Sequence, residues 1–210
     1  SANTGSLTLP KGYRFISNQL NNRAYSFITL EDTTVSKTGN NFVFTNINIY
    51  EGQLVTYNYV HSETSNPKQV YSIPDESVDT STLKVSVRAS SSNTDVNVYS
   101  LVTDALSVTA NSEVYYLQEG QDGKYQVYFG DNVLGKKLND GSVLTLEYLK
   151  TNGEMPNGAN NFVGTTSVDG YSNFSVSSVN AASGGTVRET IEQIKFAAPL
   201  NFLSQNRAVT

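Results

Sequence analysis

The stretch Gly130-Asp131-Asn132-Val133-Leu134-Gly135-Lys136-Lys137 comes within one residue of G-x-x-x-x-G-K-[ST], the loop whose backbone amides cradle nucleotide phosphates. Two features remove that chemistry. Lys137 stands where a magnesium-binding hydroxyl belongs, and Asp131 puts a carboxylate where phosphates would sit. Leu138-Asn139-Asp140-Gly141 then turns the chain at once, whereas a phosphate loop opens a helix whose N-terminus faces the anion.

The remaining reactive side chains are scattered. His61 is the only histidine and falls at the polar end of an alternating run, where a solvated imidazole is expected. With no second imidazole and no cysteine, no nitrogen or sulfur ligand set for a metal forms. Asp75, Asp79, Asp95, Asp122 and Asp131 do not follow the D-x-[DN]-x-[DN]-G calcium spacing and read as turn residues. Glu113, Glu119 and Glu147 lie near strands, and a glycosidase would need two of them facing across a cleft. Surface carboxylates are the simpler reading. No G-x-S-x-G elbow is present to place a serine nucleophile. The expectation is a protein with no catalytic residue, no cofactor and no small-molecule substrate.

Composition narrows the class. The 210 residues suffice for one large or two small domains. Thirteen Tyr and nine Phe against one Met and no Trp favour sheets, where aromatic and β-branched side chains pack well. Net charge is −5 with no run of Lys or Arg, so nucleic acid is not an expected partner. No apolar stretch reaches the length of a membrane-spanning helix.

The elements that must position these residues are strands. Tyr125, Val127 and Phe129, then Leu144, Leu146 and Tyr148, alternate with polar neighbours, the mark of half-buried strands. The glycine-punctuated connection between them reads as a rigid ornament on a sheet. Further strands are expected at residues 13–16, 24–30, 42–50, 53–60, 83–88, 95–101, 113–118 and 171–179. Residues 103–111 fit a strand or a helical turn. Gln121-Asp122-Gly123 is a hairpin turn, and Ala181-Ala182-Ser183-Gly184-Gly185 reads as a flexible joint. One helix is expected after it. Thr186 and Glu189 form a capping box, Val187, Ile191, Ile194 and Ala198 line one face, and Pro199 stops it. The end, residues 206–210, has no stop character, which suits a fragment of a longer protein.

A family resemblance rests on several of these motifs together. Phe129-Gly130-Asp131 through Gly135, Asn139-Asp140-Gly141-Ser142 and Tyr148 are similar to the signature of baseplate J-like proteins of contractile phage tails. Thr151-Asn152-Gly153 and Asn157-Gly158-Ala159 resemble that family's next segment. Ser183-Gly184-Gly185, Glu189-Thr190-Ile191, Ala198-Pro199 and residues 205–210 resemble its helix entry and close, and Leu9-Pro10-Lys11-Gly12-Tyr13-Arg14-Phe15 its opening.

The resemblance implies a mainly β protein made of two small antiparallel β domains and one C-terminal helix. A first β domain would occupy 1–73, and a second, inserted in the first, 74–150. Residues 151–185 would return to the first domain and end in the joint, and 186–210 would lead to a missing domain. Phe129, Gly130, Asp131, Gly135, Gly141, Tyr148, Gly153 and Gly158 are the expected structural motif positions, with Gly184 and Gly185 as hinge. Val187, Ile191 and Ile194 are the expected contact to another subunit or domain. The implied role is structural, in the virion tail baseplate. Copies of the chain, with other baseplate wedge proteins and sheath-initiating proteins, would ring the hub and rearrange when the sheath contracts. A receptor- or carbohydrate-binding tail module is the rival reading, since it too would be β-rich, acidic and free of cysteine.

Overall fold

The computed structural model describes residues 5–120 and 122–187. They form thirteen strands: β1 (Ser6–Leu9), β2 (Arg14–Ser17), β3 (Ser26–Ile28), β4 (Thr33–Ser36), β5 (Tyr50–Glu51), β6 (Gln53–Val60), β7 (Val70–Ser72), β8 (Val78–Arg88), β9 (Asn97–Leu101), β10 (Val114–Glu119), β11 (Tyr125–Phe129), β12 (Val143–Lys150) and β13 (Phe162–Gly164). The chain is mainly β, as expected. A single 3-10 turn at Ala105–Ser107, capped by the Asp104 carboxylate on the Leu106 amide at 2.9 Å, settles the ambiguous 103–111 stretch. The expected capped helix lies, from Arg188 onward, outside the described residues.

Seven strands make one sheet in the order β6-β12-β8-β9-β10-β11-β7. β12 is its spine. It pairs antiparallel with β6 along its whole length and with β8 on the other side, with a register shift between Glu147 and Leu149. Only β9 and β10 run parallel. β11 and β12, adjacent in sequence, are separated by three strands, so the glycine connection between them crosses one end of the sheet. The sheet curls until its edge strands approach each other: the Tyr59 hydroxyl on β6 donates to the Ser72 carbonyl on β7, and the Tyr59 and Tyr71 rings lie 5.1 Å apart. The alternating residues then point to one interior, where Val85, Val127, Leu144, Leu146 and Tyr148 are fully buried.

A second, four-stranded sheet has the order β13-β2-β3-β5, with the β1-β4 pair beside it. Its core gathers Leu7, Leu9, Tyr13, Phe15, Tyr25, Phe27, Ala159 and Phe162. Strand pairing thus groups β6 and β7, expected with the first unit, with the larger sheet. It also joins chain from both sides of that sheet, because β13 pairs with β2.

Two expected strands are corrected. Residues 42–50 form no strand before Tyr50, because Asn46 adopts φ +55° and breaks the extended run. Phe42, Phe44, Ile47 and Ile49 still pack on the core. Residues 171–179 join no ladder, and come after a tight turn with Asp169 at φ +48° and Gly170 at φ +85°. Their apolar side chains dock individually: Phe174 lies edge-on to Tyr13 with ring centres 6.5 Å apart, and Tyr171 to Phe42 at 5.6 Å.

Candidate functional site

The motif positions converge on two backbone constructions at opposite ends of β12. The first is the crossing loop before its start. A Cβ on Gly130 would lie 2.2 Å from the Gly135 carbonyl oxygen, so the two glycines meet backbone to backbone. Asp131 folds the loop between them, one carboxylate oxygen accepting the amides of Val133 and Leu134, each at 3.0 Å. Those bonds hold its carboxyl below the usual carboxylate range, with the Leu134 amide the larger cause. Asn132, at φ +67°, accepts the Lys137 amide at 2.9 Å.

The loop is also fastened outward. The Gly135 and Lys136 amides donate to the carbonyls of Thr109 and Ser112 at 3.1 and 2.9 Å. Lys136 pairs with Glu113 at 2.7 Å and Lys137 with Glu63 at 2.6 Å. Two amides of the apparent phosphate loop are therefore already bound to Asp131, and the chain leaves it through a turn into β12. The site is a brace.

Phe129 and Tyr148 anchor the brace to the core. Phe129 is buried edge-on to Tyr71 and Tyr99, at 6.0 and 5.4 Å between ring centres. Tyr148 is fully buried, its hydroxyl donating to Asp75 at 2.7 Å, while Lys150 reaches the other Asp75 oxygen at 2.6 Å. Burial first, then the Asp75 bond, raises the Tyr148 phenol. The Lys150 and Tyr148 bonds hold Asp75 low.

His61 requires a correction. It is 1% exposed, not solvated, because β6 runs on into the closed end of the sheet. Its amide donates to the Ser142 carbonyl at 2.8 Å and its carbonyl accepts the Gly141 amide at 2.9 Å, Gly141 sitting at φ +78°. Nδ1 and the Tyr71 hydroxyl share a 2.7 Å hydrogen bond. Nε2 faces Glu63 at 3.4 Å without a well-formed hydrogen bond. No local pattern in the chain marks this cluster, since Tyr71 arrives only through the curl of the sheet.

The second construction lies beyond the end of β12. Asn152 donates twice to Glu51, at 2.9 Å from its amide and 2.6 Å from its side chain. Asn157 and Gly185 form a reciprocal pair: the Asn157 side-chain amide donates to the Gly185 carbonyl at 2.8 Å, and the Gly185 amide donates back at 3.1 Å. Gly158 and Ala159 extend the contact through bonds to Ala182 at 2.8 and 2.7 Å. A Cβ on Gly185 would lie 2.2 Å from the Gly153 carbonyl oxygen. Of the expected hinge, Gly185 is clamped, whereas Gly184 stands in open space at φ +92°. Val187 is 60% exposed, and Ile191 and Ile194 lie outside the described residues.

The carboxylates considered for hydrolysis are not brought together as a facing pair by their contacts. Glu113 is held by Lys136 and Asn97, and Glu147 by Lys11 through both oxygens at 2.6 and 2.7 Å. Glu119 borders a shallow open recess with Gln118 and Gln126. Among the described residues no cluster of His, Asp or Glu is arranged to hold a metal ion.

Residues 54–163 match a family model described as bacteriophage baseplate wedge protein gp6, third domain. That interval runs from β6 to β13 and contains the entire seven-stranded sheet save its first residue, Gln53. The chain is also 24% identical over 235 residues to baseplate wedge protein gp6 of Enterobacteria phage T4, an alignment covering 99% of this chain. It spans 34% of that relative's length. The expected resemblance to baseplate proteins of contractile tails agrees with both comparisons. A family model that matches more than half of its length means that this chain belongs to the bacteriophage baseplate wedge protein gp6 family, in the region of its third domain.

Proposed function

We propose that the chain is a structural part of the wedge of a contractile-tail baseplate, resident in the virion. In this reading copies of it, with other wedge proteins, ring the hub and change their mutual arrangement when the sheath contracts. The observation that carries the reading is the coincidence of the family match with the seven-stranded sheet. The geometry is consistent with a part that transmits force. Both ends of β12 are locked by backbone bonds and ion pairs, and the side chains that could have done chemistry serve as braces.

The chain organisation belongs to the same proposal. The seven-stranded unit, whose first strand starts at Gln53, would be an insertion in the smaller one, a reading supported by the pairing of β13 with β2. Motion would be taken up at Gly184, which stands in open space between the bonded Ala182 and Gly185.

Gold-labelled antibody against this chain, applied to intact and partly disrupted tails, tests the function. Label confined to the baseplate plane is expected. Label at fibre tips refutes the reading and favours a receptor- or carbohydrate-binding module.

A further inference from the structure

The smaller unit leaves part of its core open. A groove of about 2160 Å³ reaches it, larger than the roughly 300–1,000 Å³ of a small-molecule pocket. Tyr13, Phe15, Phe27 and Phe162 of that core contribute to the lining, together with residues 40–51 and 173–187. Both of these chain stretches carry strand-like sequence that joins no ladder before Tyr50. Residues 42–49 make no backbone bond to a described residue.

Residues 172–181 are in the same state, and they are held at both ends. Val168 and Tyr171 close a turn before them, and the Ala182 amide bonds to the Ala159 carbonyl at 2.7 Å after them. Between those points no hydrogen bond from a described residue meets the backbone, and Ser178 is tied only through its side chain, to the Asn160 carbonyl. No positive φ interrupts the chain from Tyr171 to Ser183. Ser172–Asn180 holds no charge and no proline, the devices by which exposed edges avoid foreign strands. Phe174 and Val176 alternate with serines and remain 41% and 37% exposed. A fixed, extended and unpaired segment of this kind is an edge ready for one more strand.

Charge sets the kind of strand. The charged residues of the lining are Glu51, Glu76 and Asp79, and no Lys or Arg joins them. None of the three forms an ion pair among the described residues. We propose that the groove docks an extended segment of another protein, with apolar residues alternating with Lys or Arg, which pairs as a strand with residues 172–180. Its apolar side chains cover the open core, and its cations reach the carboxylates of the lining. The proposal rests on the wedge reading only in expecting that segment in another baseplate protein.

Two fluorescent ten-residue peptides are the probes, one alternating Val with Lys and the other Val with Glu. Anisotropy with the purified chain should show saturable binding of the Lys peptide alone. Glu76→Gln should weaken it about two- to fivefold. Val176→Lys should abolish it with an unchanged circular dichroism spectrum. Amide exchange at residues 172–180 should be fast in the free chain and slow about tenfold with the Lys peptide, while exchange in β6 stays the same. Absence of binding, equal binding of both peptides, or protection confined to other strands each overturn the proposal. So does slow exchange at 172–180 in the free chain, which would mean that the chain fills its own groove. Protection that grows with chain concentration would make a second copy the occupant and overturn it as well. Failure here would leave baseplate labelling untouched. Peptide binding without baseplate label would instead remove the proposed function.

Discussion

Gly130→Ala is the sharpest test of the brace. Gly130 does not adopt a positive φ, so its glycine is required by close approach alone. An added Cβ would sit 2.2, 2.3 and 2.5 Å from the carbonyl oxygen, carbonyl carbon and Cα of Gly135. All three are backbone atoms, so no side chain can swing aside. The two arms of the loop must separate by more than an ångström to reach ordinary contact. Overpacking of this kind costs about 1–3 kcal/mol. Separation also breaks the Asn132 amide bond to the Gly135 carbonyl, now 2.9 Å, a net loss of about 1 kcal/mol. The expected destabilisation is therefore about 2–4 kcal/mol. In a chain of this size that lowers Tm by roughly 5–15 °C. Gly141→Ala is the control, because its φ is +78° but nothing lies within 4 Å of the new Cβ. It should cost only backbone strain, about 1 kcal/mol. Urea titrations of the two variants read the difference directly. If Gly130→Ala proves no more destabilising than Gly141→Ala, the backbone contact is not what fixes the loop.

The same geometry sets the remaining expected outcomes. His61→Leu strands the buried Tyr71 hydroxyl and should cost about 1–3 kcal/mol, with part recovered in the double variant with Tyr71→Phe. Additive losses in a double-mutant cycle by denaturation would show that the pair does not interact. Asp75, held low by Lys150 and Tyr148, contributes stability that is present above the ordinary Asp pKa of 3.8 and lost as pH falls through its lower folded value. Asp75→Asn should flatten that acid limb of the stability profile, and an unchanged limb would assign it to other carboxylates. Gly185→Ala should unseat the clamp and speed amide exchange at Ala182 and Gly185, while exchange in β12 stays slow. Deleting Gly184-Gly185 should impair assembly or firing with both sheets folded, and normal firing would refute a joint there.

Much of the architecture is written in local pattern. The alternation in Tyr125–Phe129 and Val143–Lys150, the hairpin at Asp122-Gly123 and the turns at Gly130, Gly135 and Gly141 each depend on neighbours in sequence. A period of two or a required left-handed turn is decided within a few residues. The failure of the phosphate-loop pattern was legible for the same reason, since Asp131 caps amides two and three residues ahead.

Other features were settled only by tertiary structure. Residues 42–49 carry the alternating apolar residues of a strand, but Asn46 turns into the left-handed region and no neighbouring strand pairs with them. A strand exists only where a partner supplies its ladder, and partners are distant in sequence. His61 lies at a strand end in sequence and in the interior in space, because the curl of seven strands brings β7 and Tyr71 against it. Gly185 reads as slack until Asn157, twenty-eight residues earlier, is found holding both its amide and its carbonyl. Residue type and spacing thus determined which segments extend and where they turn, because those are short-range steric matters. Which edges meet, which polar groups are enclosed and which glycines are pinned depended on long-range pairing that only the folded sheet supplies.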